Sequence, residues 1–304
     1  MYTNNLHAPS TLFVVGAIVA ASWAFAADEG PSGPPEGAVL IGEGYQFAEG
    51  PAIAPDGSLY FTDTRAGKVY RWDVKVAPKA VAENTAGGNG LAFDKDGNLY
   101  TCQGAGRAVA KVNADGSLKI FCDKADGAPL NQPNDLVFDS HGNLFFTNPG
   151  SQGKPSVVRV KPDGTASVVA TDQQYPNGIR ISPDGKWLYV CDTAGGSKLW
   201  RYPLANGNID KGEVFVDFGR GGPDGMTVAA SGNVYVALNL GAKIAVVSPA
   251  GKVLKEYPFP RGAGVSNVCF GGPDLKTLFI TLGNHGKVYS LAVDEPGFKM
   301  PVRN

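Results

Sequence analysis

The chain has almost no excess charge: 27 Lys and Arg stand against 28 Asp and Glu, for a formal net charge of −1. That balance excludes the broad basic footprint of a nucleic-acid partner or of a protein held on an acidic membrane surface. Cysteine is scarce too. The four present, Cys102, Cys122, Cys191 and Cys269, form neither a CxxC pair nor a Cys/His spacing that would suit zinc. All four lie in apolar, strand-like contexts, which reads as buried free thiols. Long apolar runs are lacking except for residues 11–26, TLFVVGAIVAASWAFA. At about 15 apolar residues this run is short of the roughly 20 that cross a bilayer, and it ends in the small-residue pattern Ala24-Phe25-Ala26. The expectation is a signal peptide over 1–26, although the ten residues before the run contain no Lys or Arg. A flexible Pro/Gly lead-in over 27–37 and a single domain over 38–304 follow. This organisation implies a periplasmic or secreted protein with no stable membrane insertion after processing.

What is abundant is turn chemistry, with 41 Gly and 22 Pro. The turns recur in register. Six segments share one order: a polar residue, an apolar strand, a tight turn, a strand rich in β-branched and aromatic residues, then a further strand. They begin at Glu49, Asn89, Asn134, Asn177, Asp224 and Asn267, at intervals of 40, 45, 43, 47 and 43 residues. That is the period of a four-stranded propeller blade. Gly57, Gly97, Gly142, Gly185 and Gly232 each fall eight residues after the starting residue, where a short hairpin turn needs positive φ. In the sixth segment Leu275 takes that place, so a different turn is expected there. The fold class is therefore all-β, a six-bladed β-propeller of four-stranded blades. The apolar stretch Ala38-Val39-Leu40-Ile41 is placed to close the ring as the outer strand of the last blade. The same register puts Cys102 and Cys122 on strands of one blade with a third strand between them, about 9–10 Å apart and beyond disulfide reach.

The first strand of every blade lines the axial tunnel, so the six starting residues form a ring at one end of it. Each offers a side-chain oxygen. A single Asn or Asp beside Gly or Pro is ordinarily a turn former. Turn chemistry does not, however, require an amide or carboxylate at the same ring position in all six repeats. Inward polar groups in a narrow channel need a partner, and the two carboxylates, Glu49 and Asp224, would balance one divalent ion. All-oxygen donors favour calcium, magnesium or manganese over metals that prefer soft ligands.

The motifs Glu49-Gly50-Pro51, Leu130-Asn131-Gln132-Pro133-Asn134-Asp135, Pro176-Asn177-Gly178 and Pro223-Asp224-Gly225-Met226, in this order, resemble the SMP-30/gluconolactonase/luciferin-regenerating-enzyme family over Val39 to Leu291. The resemblance implies a metal held by Glu49, Asn134, Asn177 and Asp224, with calcium the first choice and zinc added to the alternatives. It implies a lactone or other small ester as substrate, its carbonyl polarised by the metal, with Asp224 or water on the metal assisting attack. The substrate side of the ring would then fall to Asn89, which matches a pocket residue of bacterial members, and to Asn267. Two further substrate contacts are expected where the chain departs from the family. Gln103 stands in Cys102-Gln103-Gly104, where bacterial members read Cys-Glu-His-Gly, and Gln132 stands where animal members carry an Arg. The blade-three Thr-Asp-Pro is here Thr147-Asn148-Pro149. His285 reads as a solvated loop residue, and Asp63 and Asp192 read as caps of loop amides. Two other readings stay open on sequence alone: a phosphotriesterase or other esterase on the same ring, and a non-catalytic propeller that binds metal or ligand.

Overall fold

A computed structural model describes residues 30–150 and 152–298; the expected signal peptide lies outside them. Six antiparallel sheets form the blades of a propeller, and a two-stranded hairpin, Lys124–Ala125 with Ala128–Pro129, is added before blade three. Blades one to five run outward in chain order. Blade one, for example, is built from Ala48–Ile53, Leu59–Asp63, Lys68–Trp72 and Lys79–Glu83. The innermost strands of the other blades are Gly88–Phe93, Leu136–Phe138, Pro176–Ile181, Pro223–Val228 and Val265–Gly271. Neighbouring inner strands touch all the way round, blade six against blade one included. The ring closes as the sequence suggests. Val39–Glu43 pairs antiparallel with Lys287–Ala292 and completes the sixth sheet, which removes the open edge between the first and last blades.

The core lies between blades. The second strand of each is rich in aromatic and β-branched residues because both of its faces are covered, as in the fully buried Leu144–Asn148 and Val234–Leu238. An aromatic residue of that strand meets the lower end of the next inner strand. Tyr60 packs edge-on against Phe93 with ring centroids 5.3 Å apart, and Tyr100 against Phe138 and Tyr235 against Phe270 repeat the contact at 5.2 and 5.0 Å. All four cysteines are free and buried, and burial pushes the thiols of Cys102 and Cys191 well up from their ordinary value.

The hairpin turn of blade six differs at its entry, where Gly272 adopts φ +79° while its counterparts, such as Ala54, have no positive φ, but it keeps the left-handed position that glycine holds in the other blades. Leu275 adopts φ +58°, and its N–H donates to the Gly272 carbonyl at 3.2 Å, as Gly57 N–H does to Ala54 at 2.9 Å. The repeat geometry overrides the residue, and a left-handed leucine costs of order 1–2 kcal/mol. Leu275→Gly is therefore expected to stabilise the fold by about 1 kcal/mol, raising the melting temperature by about 2 °C in a calorimetric scan.

Candidate metal centre

The hairpin turns lie at one end of the barrel of inner strands, and the six starting residues lie at the other, where loops before the first strand and after the second strand form the mouth. At the mouth the pairing of first and second strands breaks by a bulge at Glu49/Ala52, Gly88/Leu91, Pro176/Ile179 and Pro223/Met226. A bulge re-aims the side chain at its break, here that of Glu49, Asn89, Asn177 and Asp224. A glycine follows each of these four residues and lets the strands crowd together. A Cβ on Gly50 would lie 2.1 Å from the Asn89 carbonyl oxygen, one on Gly178 2.2 Å from that of Asp224, and one on Gly225 2.0 Å from Asn267 Cγ. Blades two and three are tied by Gly90 N–H donating to the Asn134 carbonyl at 2.8 Å. Thr62 and Thr147 hydroxyls reach across to the Asn89 and Asn177 carbonyls at 2.9 and 2.6 Å.

The ring side chains divide by what holds them. Glu49 is buried, and both of its hydrogen bonds fall on Oε2, from Gly50 N–H at 2.6 Å and Asn267 Nδ2 at 3.0 Å. Asn267 also accepts from Val268 N–H at 2.8 Å, so it positions Glu49. Asp224 is buried and accepts from Asn239 Nδ2 at 2.9 Å on Oδ2. Asn177 gives its Nδ2 to Thr193 Oγ1 at 3.1 Å, whose own hydroxyl donates to the Pro223 carbonyl at 2.7 Å. The side chains of Asn89 and Asn134 are half-buried and make no hydrogen bond among the described residues. Burial pushes the Glu49 carboxyl up to about 7, against the opposing pull of its Gly50 and Asn267 donors. Burial, and then the Glu49 charge, hold Asp224 well above the ordinary carboxylate range. Two acids that resist ionisation beside free amide oxygens are a donor set in need of a cation. Among the described residues no three His, Cys, Asp or Glu gather as a metal cluster. The oxygen-only mixture of carboxylate and amide fits a hard divalent ion such as calcium.

The remaining expected contacts lie around the mouth. Gln132 is exposed on the rim, its Cγ 3.4 Å from where a Cβ on Gly104 would stand. Gln103 is turned into its own blade, with Nε2 donating to the Thr85 carbonyl at 3.0 Å, and is buried. Asp63 takes the N–H groups of Gln46, Phe47 and Ala66, and Asp192 those of Gln174, Tyr175 and Gly195, so both cap loops as expected. Asn148 does the same for Asn131 and Gln132, at 2.8 and 3.1 Å, which explains why an amide can replace the family's Asp there. His285 is exposed and faces the lead-in across a cavity of about 260 Å³ that it shares with Ser32 and Pro34.

Sequence reasoning missed Asn239, Thr193 and Tyr175. Asn239 and Thr193 each directly follow the second strand of their blade, as Thr64 does in blade one. The Thr64 hydroxyl is buried without a partner among the described residues. Reading that repeat position across blades would have found Asn239 and Thr193. Tyr175, two residues before Asn177, is half-buried with its main chain clamped by Asp192 Oδ1 at 2.9 Å and by Thr193 N–H at 3.1 Å. Its phenol feels the charges of Asp224 and Glu49, which, after burial, raise its pKa.

Fold and site together define a closed six-bladed propeller with an oxygen-donor well at one tunnel mouth. The chain belongs to the SMP-30/gluconolactonase/LRE-like family, whose model matches residues 47–284. It is 27% identical over 283 residues to a gluconolactonase of Zymomonas mobilis, covering 81% of this chain and 79% of that one. Among solved structures it is similar to a gluconolactonase from Xanthomonas campestris, with TM-score 0.77, 26% identity, and 84% of this chain and 89% of that chain covered. The fold is also that of regucalcin from Agrobacterium tumefaciens, described as a calcium-binding protein, with TM-score 0.75, 23% identity, and coverage of 88% and 98%.

Proposed function

We propose that this protein hydrolyses lactones at its tunnel mouth with one divalent cation, calcium in the first instance, held by Glu49, Asn134, Asn177 and Asp224. The carrying observation is the pair of buried acids beside unpartnered amides at the axial end of a propeller whose relatives include named gluconolactonases. When bound, such a cation supplies Lewis acidity toward a carbonyl oxygen.

The protein's own groups supply the rest. Asn267 and Asn239 each fix one oxygen of Glu49 and Asp224, so the second oxygen of each carboxylate has a set direction. Asp224 Oδ1 takes a proton from water as its oxygen adds to the lactone carbonyl carbon. The ring C–O bond then breaks, its oxygen receives a proton, and a hydroxy acid leaves. A cation held by the ring would keep Asp224 ionised and so able to accept this proton. Asn89 and Gln132 present amides to the substrate from blade two and the blade-three rim, and Gln103 holds the loop beneath them.

Hydrolysis of a panel of sugar and aliphatic lactones tests the reading. Turnover is expected to vanish with a chelator and to return on adding calcium. Full turnover in chelator-stripped protein, or none with any lactone after loading with calcium, magnesium, manganese or zinc, would overturn it. Export through 1–26 belongs to the same proposal, with processed protein expected in the periplasmic or secreted fraction.

A further inference from the structure

One register step below the mouth ring, the inner strands carry a second layer: Ala52, Ala92, Val137, Arg180, Thr227 and Cys269, each opposite an aromatic residue of its second strand. Five are small. The sixth is a long cation. Arg180 Nη1 donates to Asp135 Oδ2 of blade three at 3.0 Å and to the Ile179 carbonyl at 2.6 Å. Its side chain is 16% exposed and that of Asp135 2%. Asp135 directly follows Asn134, where four other blades have glycine, and its Oδ1 accepts from Leu136 N–H at 2.8 Å. The guanidinium charge also acts on Glu49 and Cys269, which belong to blades one and six. Arg180 thus reaches from blade four to blade three within this layer, where its counterparts in the other five blades are small.

We infer that Arg180 is the tunnel's resident counter-ion: it stops the lumen beneath the ring and holds the charge there at what one divalent cation neutralises. The inference rests on the cation site proposed above. Glu49, Asp135 and Asp224 set three carboxylates against one guanidinium, which leaves two negative charges. Without Arg180 the well would carry a third uncompensated charge and a passage beneath it. Even with water-like screening, an effective dielectric near 80, one unit charge about 6 Å from a divalent ion changes its affinity by about tenfold.

Calcium titration calorimetry on the full chain tests this with Arg180→Met, Asp135→Asn and the double variant. Arg180→Met is expected to bind calcium about tenfold tighter or to take up a second equivalent, and Asp135→Asn to bind about tenfold more weakly. The double variant restores the charge balance and should return to within about threefold of the wild type. A structural role alone would weaken binding in both single variants and more so in the double, and that pattern would overturn the inference. So would calcium affinities unchanged throughout. If Arg180→Met does not fold, weak binding by Asp135→Asn and its recovery in the double variant decide the matter. Wild-type protein that binds no divalent cation would sink the cation site itself, a result distinct from a wild type that binds while the variants show no charge pattern.

Discussion

Asp224→Asn is expected to lower lactone turnover by roughly a thousandfold while leaving the fold intact. The substitution keeps the shape and the Asn239 contact on one side-chain atom. It removes a proton acceptor, which alone supplies roughly 10²–10⁴ in rate, and half of the carboxylate charge of the ring. Glu49→Gln should lose cation affinity to a similar degree, with less direct effect on the proton. Asn239→Ala is the milder control, because it frees the orientation of Asp224 without discharging it. About tenfold loss in kcat is expected there, the scale of one hydrogen bond to a charged group. Steady-state kinetics beside calcium calorimetry separates these contributions. If Asp224→Asn kept wild-type turnover with cation bound, Asp224 would have no part in the chemistry.

The ring was legible because a repeat converts sequence register into position on an axis. Glu49, Asn89, Asn134, Asn177, Asp224 and Asn267 occupy one place in six repeats, and the inner strands put that place at the mouth. The division of labour within the ring was not legible. Asn267, expected to face substrate, gives its amide to Glu49, because the absent Cβ of Gly225 lets the two inner strands approach. Gln103 sits at the end of a second strand, where Asp63, Asn148 and Asp192 cap loops in their own blades, and it follows the same rule. Arg180 carries no signal in the linear pattern, since a single Arg on an apolar strand reads as an edge or surface residue. Only the small size of its counterparts in the other blades shows that it has a lumen to fill. Leu275 marks the limit from the other side: the turn changes at Gly272, as the residue argues, yet Leu275 itself keeps the left-handed conformation of the glycines in the other blades.

Chelated protein is expected to become less stable as the pH rises from 5 to 8, the opposite of ordinary acid denaturation. Glu49 titrates near 7 in the folded chain and at 4.5 when exposed. Between those values the native state holds a proton that the unfolded chain has lost, so its contribution to stability is fully present below about pH 4.5 and disappears as the pH passes 7. Asp224, shifted in the same direction by burial and by Glu49, steepens the trend. A shift of this size in Glu49 alone corresponds to about 3 kcal/mol. The carboxylates held low by their hydrogen bonds, Asp56, Asp115, Asp163 and Asp184, lose their contributions only below the exposed value of 3.8, outside this window. A cation in the ring favours the ionised acids, so calcium-loaded protein should hold or gain stability over the same range. The calcium-induced rise in melting temperature should therefore be small at pH 5 and largest at pH 8. Denaturant melts at fixed pH with chelator or calcium measure both curves. Chelated protein as stable at pH 8 as at pH 5 would mean that the two acids are already ionised without a cation, and the physical case for the metal centre would go with it.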